Sequence, residues 1–262
     1  MLKGIVRSFV FFAIFAYAQN SCIQSVFDKY QIAKGGFVFY QNNTYQTNNL
    51  KWVKQRYIPA STFKIFHSLI GLELGVVNPQ EPFFVYSGEK LEMKQWEKTM
   101  TLKEAIATSN VPSFKALAKK IGYTRMKKNI RKLQYGNQDI GTIEDLQKFW
   151  LKGPLRISPI EQVDLLFALA NKQLPFSEKS QDEVIEMLEQ DKGAYKMYAK
   201  TGLSVASDGK YGWIVGWISS KDKNTDSVIP FALHLGWKEE MPYILRFQIV
   251  EDVFQKCVFH QK

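Results

Sequence analysis

The sequence predicts an α/β fold: a central antiparallel sheet flanked by helices, with an all-helical lobe inserted into it. Two observations carry this. Stretches rich in β-branched and aromatic residues stand near both ends of the chain, at 35–40 and again across 195–235. Between them, from Thr101 to about Glu189, the apolar spacing is helical and is broken at glycines and prolines. The sheet must therefore join N- and C-terminal strands around a helical middle. The cleft between the two lobes is then the natural place for a small-molecule site.

At the N-terminus, Lys3 and Arg7 precede an apolar run from Phe9 to Ala18 that ends in Ala16-Tyr17-Ala18. A basic start, a short apolar stretch and a small-x-small site describe a secretory signal peptide, residues 1–18, cleaved near Ala18. The run is shorter than the roughly 20 apolar residues a membrane-spanning helix needs. Gln19-Asn20-Ser21 ahead of Cys22 does not form a lipoprotein cleavage box. The expected product is a periplasmic protein with no stable membrane anchor.

The stretch 35–40, running into Gln41-Asn42-Asn43, reads as a strand and turn, and a second strand-like stretch follows around 50–53. Pro59-Ala60-Ser61 leads into a helix over 62–74. Ile65, Phe66, Leu69, Ile70 and Leu72 supply its apolar stripe, and Gly75 closes it. Clear helical pieces follow at 102–107, 113–121, 160–169 and 181–190. Strand patterning returns at 195–200, 211–219 and 228–235, with Gly193, Gly209 and the polar stretch 221–226 as hairpin turns. A last helix covers about 242–256. The expected organisation is a sheet lobe of 19–60 and 192–262 and a mainly helical lobe of 61–191.

The formal charge is +10, or +8 once the signal is removed. Much of it gathers in Lys119, Lys120, Arg125, Lys127, Lys128, Arg131 and Lys132. No nucleic-acid motif accompanies this stripe and export argues against such a partner, so a solvated helix face is the expected reading. Three histidines, His67, His234 and His260, lie far apart without metal-ligand spacing, so no metal is expected. Cys22 and Cys257 would tie the ends together if oxidised; two unrelated buried thiols are the other reading. Oligomeric state has no signature here.

Four Ser-x-x-Lys spacings occur, at Ser61/Lys64, Ser87/Lys90, Ser207/Lys210 and Ser220/Lys223. Only the first opens a strongly apolar helix. Residues three apart there share a face, the helix start favours developing negative charge, and burial makes lysine a base by keeping it neutral. Ser109-Asn110-Val111 offers a second hydroxyl that can relay a proton, or alternatively a helix cap. Lys200-Thr201-Gly202, read at the end of a strand, offers a cation, a hydroxyl and close backbone approach for a substrate carboxylate. Leu203 N–H with Ser61 N–H would form an oxyanion hole. His67, without an evident carboxylate partner, reads as structural, and Trp213 and Trp217 read as core.

Ser-x-x-Lys and Lys-Thr-Gly in this order are marks of class A β-lactamases and penicillin-binding proteins. With Ser-Asn-Val between them, Tyr135-Gly136-Asn137, Phe149-Trp150-Leu151-Lys152-Gly153 and Gly212-Trp213-Ile214-Val215-Gly216-Trp217, the chain resembles the class D, oxacillinase-type serine β-lactamases. The resemblance implies a β-lactamase/transpeptidase-like fold and hydrolysis of penicillin-like drugs through a Ser61 acyl-enzyme. It also implies that carbon dioxide or bicarbonate converts Lys64 to N6-carboxylysine, the general base. Val111, Trp150 and Leu151 would enclose that group, with the Trp150 N–H bonded to it. Ser109 would shuttle a proton to the lactam nitrogen. Lys200, Thr201 and Arg246 would hold the drug's carboxylate, although a surface cation is the competing reading of Arg246. Tyr135-Gly136-Asn137 would shape the rim between Ser109 and the Trp150 loop. No other cofactor is implied; the partner is the small-molecule β-lactam.

Overall fold

The computed structural model describes residues 16–193, 195–220 and 228–259. The expected basic start at Lys3 and Arg7, the whole 221–226 turn with Lys223, and His260 lie outside the described residues. Among the described residues, seven strands form one sheet in the order β1-β3-β2-β7-β6-β5-β4. They are β1 Ala16–Gln19, β2 Gly35–Gln41, β3 Thr44–Thr47, β4 Glu189–Asp191, β5 Tyr195–Ala206, β6 Gly209–Ser220 and β7 Val228–Trp237. The expected joining of N- and C-terminal strands occurs between β2 and β7, where Phe37 sits opposite Leu233. All pairings are antiparallel except β1 with β3, which run parallel. The sheet is therefore mixed rather than wholly antiparallel. Ala18 lies within β1, so cleavage there would trim an edge strand and leave the other six paired.

Alternation along the strands gives the sheet two buried faces. Phe37, Phe39, Ile214, Phe231 and Leu233 pack against α1 (Ser21–Lys29) and α9 (Leu245–Phe254). Val38, Trp213, Val215, Trp217 and Ala232 face the helical part of the chain. That part contains α3 (Lys64–Glu73), α4 (Leu102–Ala107), α5 (Val111–Ile121), α6 (Tyr123–Leu133), α7 (Pro159–Ala170) and α8 (Glu178–Leu188). Trp213 also donates Nε1–H to the Ile58 carbonyl at 2.9 Å, which satisfies the indole inside the core.

Three expectations are corrected. The stretch at 50–53 is a helix, α2 (Leu50–Lys54), not a strand. The Asn49 side chain accepts from Trp52 N–H at 3.1 Å, and this local cap outweighs the β-prone composition. The 181–190 helix ends at Leu188, and Glu189–Asp191 turns back as β4 against 196–198 of β5. β5 continues to Ala206, so Lys200-Thr201-Gly202 is in mid-strand rather than at a strand end.

Cys22 and Cys257 form a disulfide with Cα atoms 5.7 Å apart, joining α1 to the π-helical turn Gln255–Phe259. The loop it closes spans 235 positions of sequence. Reducing it, or replacing both cysteines with serine, is expected to lower stability by about 2–5 kcal/mol. Denaturant midpoints of the oxidised and reduced protein measure this, and coincident curves would show that the link constrains nothing.

Candidate active site

Ser61 stands in a 3₁₀ turn, Ala60–Phe63, that feeds directly into α3. Ala60 has φ of +49°, a left-handed conformation that a non-glycine residue adopts at a cost. Several groups hold this turn in place. Thr62 donates its hydroxyl to the Pro59 carbonyl at 2.7 Å, and Gln162 on α7 donates to the Thr62 hydroxyl oxygen at 2.9 Å. Gln162 Nε2 also reaches the buried Tyr135 hydroxyl at 3.3 Å. Tyr135 therefore backs the nucleophile's turn and does not shape the rim.

The two residues after Tyr135 fasten the loop beyond Trp150. Gly136 has φ of +52°, and a Cβ there would lie 1.9 Å from the Arg156 carbonyl oxygen, so only glycine fits. Asn137 donates to Pro154 O and accepts from Arg156 N–H, each at 2.9 Å. The sequence held one signal for this bracing: a tyrosine and a glutamine among otherwise apolar or helical stretches. Their partners are 27 and 100 positions away, which no periodicity reveals.

Lys64 is fully buried on the first turn of α3. Its Nζ donates to the Ser109 carbonyl at 2.6 Å and lies 3.0 Å from both the Ser61 and Ser109 hydroxyl oxygens. Burial, followed by repulsion from Lys200, holds the amine well below the ordinary lysine range. Ser109 is not a cap. Asn110 takes that role for α5 by accepting from Ser113 N–H at 2.8 Å. Ser109, at φ of +55° between α4 and α5, is left to reach both lysines. Lys200 Nζ lies 3.0 Å from its hydroxyl oxygen. The structure thus brings Ser61, Lys64, Ser109 and Lys200 into one contact path.

β4 covers β5 only as far as Tyr198, so the outer edge of β5 from Ala199 onward borders the Ser61 turn. Lys200, Thr201, Gly202 and Leu203 all lie on this edge stretch. A Cβ on Gly202 would come within 3.3 Å of Ser61 N and 3.2 Å of Pro59 O, so glycine allows the close approach. Beside Lys200 and Thr201 is a cavity of about 290 Å³, whose apolar wall includes Ile106, Met187, Leu188 and Phe247. Arg246, at the start of α9, is 2% exposed and is not a surface cation. It donates to Gly202 O at 2.8 Å and Trp213 O at 3.3 Å, and its guanidinium lies over the Trp237 ring. Its charge is a second cause, after burial, of the fall in Lys200 to about 7.

Trp150 is fully buried in the turn at 146–152, edge-on to Phe149 and His67. Its Nε1–H has no hydrogen-bond partner. Leu151 and Val111 are half-buried; Val111 opens α5 and Leu151 packs against the core. Of the other Ser-x-x-Lys copies, the Ser87 hydroxyl is spent on Glu89, Lys210 pairs with Glu239, and Lys223 lies outside the described residues.

The profile of the penicillin-binding protein transpeptidase domain matches residues 31–253. The chain is 38% identical over 213 residues to β-lactamase OXA-10 of Pseudomonas aeruginosa, covering 80% of this chain and 78% of that protein. It is 37% identical to β-lactamase OXA-48 of Klebsiella pneumoniae, covering 86% and 83% respectively. The crystal structure of FUS-1 (OXA-85), a class D β-lactamase from Fusobacterium nucleatum subsp. polymorphum, superposes with a TM-score of 0.85 at 37% identity, over 91% of this chain and 98% of that one. A transpeptidase-type sheet with Ser61 beside a buried Lys64 thus defines the wider class, and within it the chain belongs to the class D β-lactamases.

Proposed function

We propose that this β-lactamase opens the lactam amide of penicillin-like drugs by attack of Ser61 and releases the acyl group to water, thereby conferring β-lactam resistance. The observation that carries this reading is the contact path Ser61–Lys64–Ser109–Lys200, each link between 2.6 and 3.0 Å. Lys64, 3.0 Å from the Ser61 hydroxyl and held well below the ordinary lysine range by burial, would act as the general base. Ser109 joins it to Lys200 and is placed to carry a proton to the departing lactam nitrogen. The Ser61 and Leu203 N–H groups would receive the carbonyl oxygen as it gains charge. Lys200 and Thr201 would bind the drug's carboxylate, and Arg246 would brace the strand that presents them.

The site also fits an N6-carboxylated Lys64. Burial holds the amine well below the ordinary lysine range and the buried Trp150 N–H has no partner, so Val111 and Leu151 would enclose the added group and Trp150 would donate to it. Carbon dioxide adds to the amine with formation of an N–C bond and loss of a proton, and supplies a carboxylate base for acylation and deacylation. Export to the periplasm after cleavage near Ala18, and a division into lobes at 61 and 192, are parts of the same proposal. Among the described residues, no helix is long and apolar enough to cross a membrane.

The deciding experiment is turnover of a chromogenic β-lactam by the purified protein. Steady hydrolysis is expected, and a decarboxylated preparation should regain rate when bicarbonate is added. Covalent labelling of Ser61 that stops at one equivalent would instead describe a β-lactam sensor or transpeptidase. The pH profile gives a second test. Lys200 titrates near 7, so its cationic form prevails below that pH and is lost above it. KM for a penicillin is therefore expected to rise as pH climbs through about 7, and a flat KM across that window would remove Lys200 as the carboxylate's anchor.

A further inference from the structure

His67 follows Lys64 by three residues on α3 and is fully buried. Residues so spaced share one helix face. The imidazole lies 5.1 Å from the Trp150 ring and 5.4 Å from both Phe63 and Phe114, measured between centroids. Lys64 Nζ stands 5.3 Å over the same Phe114 ring. His67 and the Lys64 amine therefore share Phe114 as a neighbour, and Trp150 and Phe63 flank the imidazole.

Neither His67 nitrogen has a hydrogen-bond partner, and neither has Trp150 Nε1. Burial first, and the neighbouring Lys64 second, lower the imidazole to about 3. A neutral imidazole still carries one N–H donor and one acceptor. Leaving a buried donor unmet forfeits the hydrogen bond it made with water. Two such donors on separate elements, close to the buried Lys64 amine, suit a group rich in acceptors. His234 shows the contrast: it is also buried, but its Nδ1 accepts from Trp52 Nε1 at 3.1 Å and its ring lies 3.9 Å from Tyr57. That histidine has one nitrogen paired and only Nε2 unmet, whereas both His67 nitrogens lack a partner.

We propose that His67 is a positioning residue for the carboxylated form of Lys64, its ring N–H acting as the second donor, beside Trp150, that retains carbon dioxide on the amine. The proposal rests on the carboxylysine reading above. A carboxylate offers enough lone pairs to accept from both donors, and donors on α3 and on the 146–152 turn would fix its plane. The chief effect of His67 is then on how tightly carbon dioxide is held.

The test is a titration of the full chain with ¹³C-bicarbonate, reading the carbamate carbon by NMR in wild type, His67→Leu and His67→Asn. A hydrogen bond to a charged group predicts that His67→Leu raises the half-saturating concentration about ten- to hundredfold. His67→Asn, which keeps an N–H donor, should stay close to wild type. Equal titration of the leucine variant and wild type would overturn the proposal. ¹⁵N-labelled histidine in the wild type gives an answer even if His67→Leu does not fold: one buried ring nitrogen must shift as the carbamate forms, and an unshifted imidazole would also overturn it. Absence of any wild-type carbamate signal would defeat the carboxylysine reading itself, whereas a normal signal with unchanged variants defeats the role of His67 alone.

Discussion

Replacing Lys64 with alanine is expected to lower kcat/KM for a β-lactam by about 10⁴-fold or more, because the variant loses the base for both halves of the reaction. Ser61 would keep its turn, since Thr62, Gln162 and Tyr135 hold it independently of the lysine. Acylation should persist at a slow rate, and mass spectrometry should find the adduct accumulating. The fold should tolerate the change: the lysine stem is lost from the core, but so is the burden of a desolvated amine. Steady turnover within tenfold of wild type would assign the base elsewhere.

The second large effect is expected at Trp150. Trp150→Phe retains a ring among Phe63, Phe149 and His67 while removing the unpartnered N–H. In the protein without bound carbon dioxide that N–H is a cost, so stability should change by no more than about 2 kcal/mol, smaller volume offsetting the relieved donor. Turnover should fall about 100-fold, and more bicarbonate should be needed to restore it. The two readouts separate the roles of the ring. A large loss of stability with an unchanged bicarbonate requirement would make Trp150 a packing residue alone.

The order of elements and the identity of the nucleophile were legible because both are local or ordered along the chain. The apolar stripe of α3 singled out Ser61 among four equal spacings, and the β5–β6–β7 patterning announced the meander before any contact was known. Failures came where a short-range cue competed with another. Asn49 capped a helix inside a stretch that composition alone assigns to a strand, and Glu189 ended one periodic segment while starting another. What sequence could not reveal was pairing at a distance. Nothing along the chain says that Gln162 will hold Thr62, that Arg246 will pass beneath Gly202, or that His67 and Trp150 will meet with their donors unmet. Those relations depend on side-chain direction within the packed core, which is fixed only when the helices settle on the sheet.

The disulfide near the chain ends also bears on how the molecule can be rebuilt. Cys22 and Cys257 meet beside α1 and α9, on the sheet face opposite Trp213 and α3. Residues 22 and 257 are therefore neighbours on that face. A short peptide joining them would turn the chain into a ring without crossing the reactive face, and the ring can be reopened at the 207–208 turn between β5 and β6.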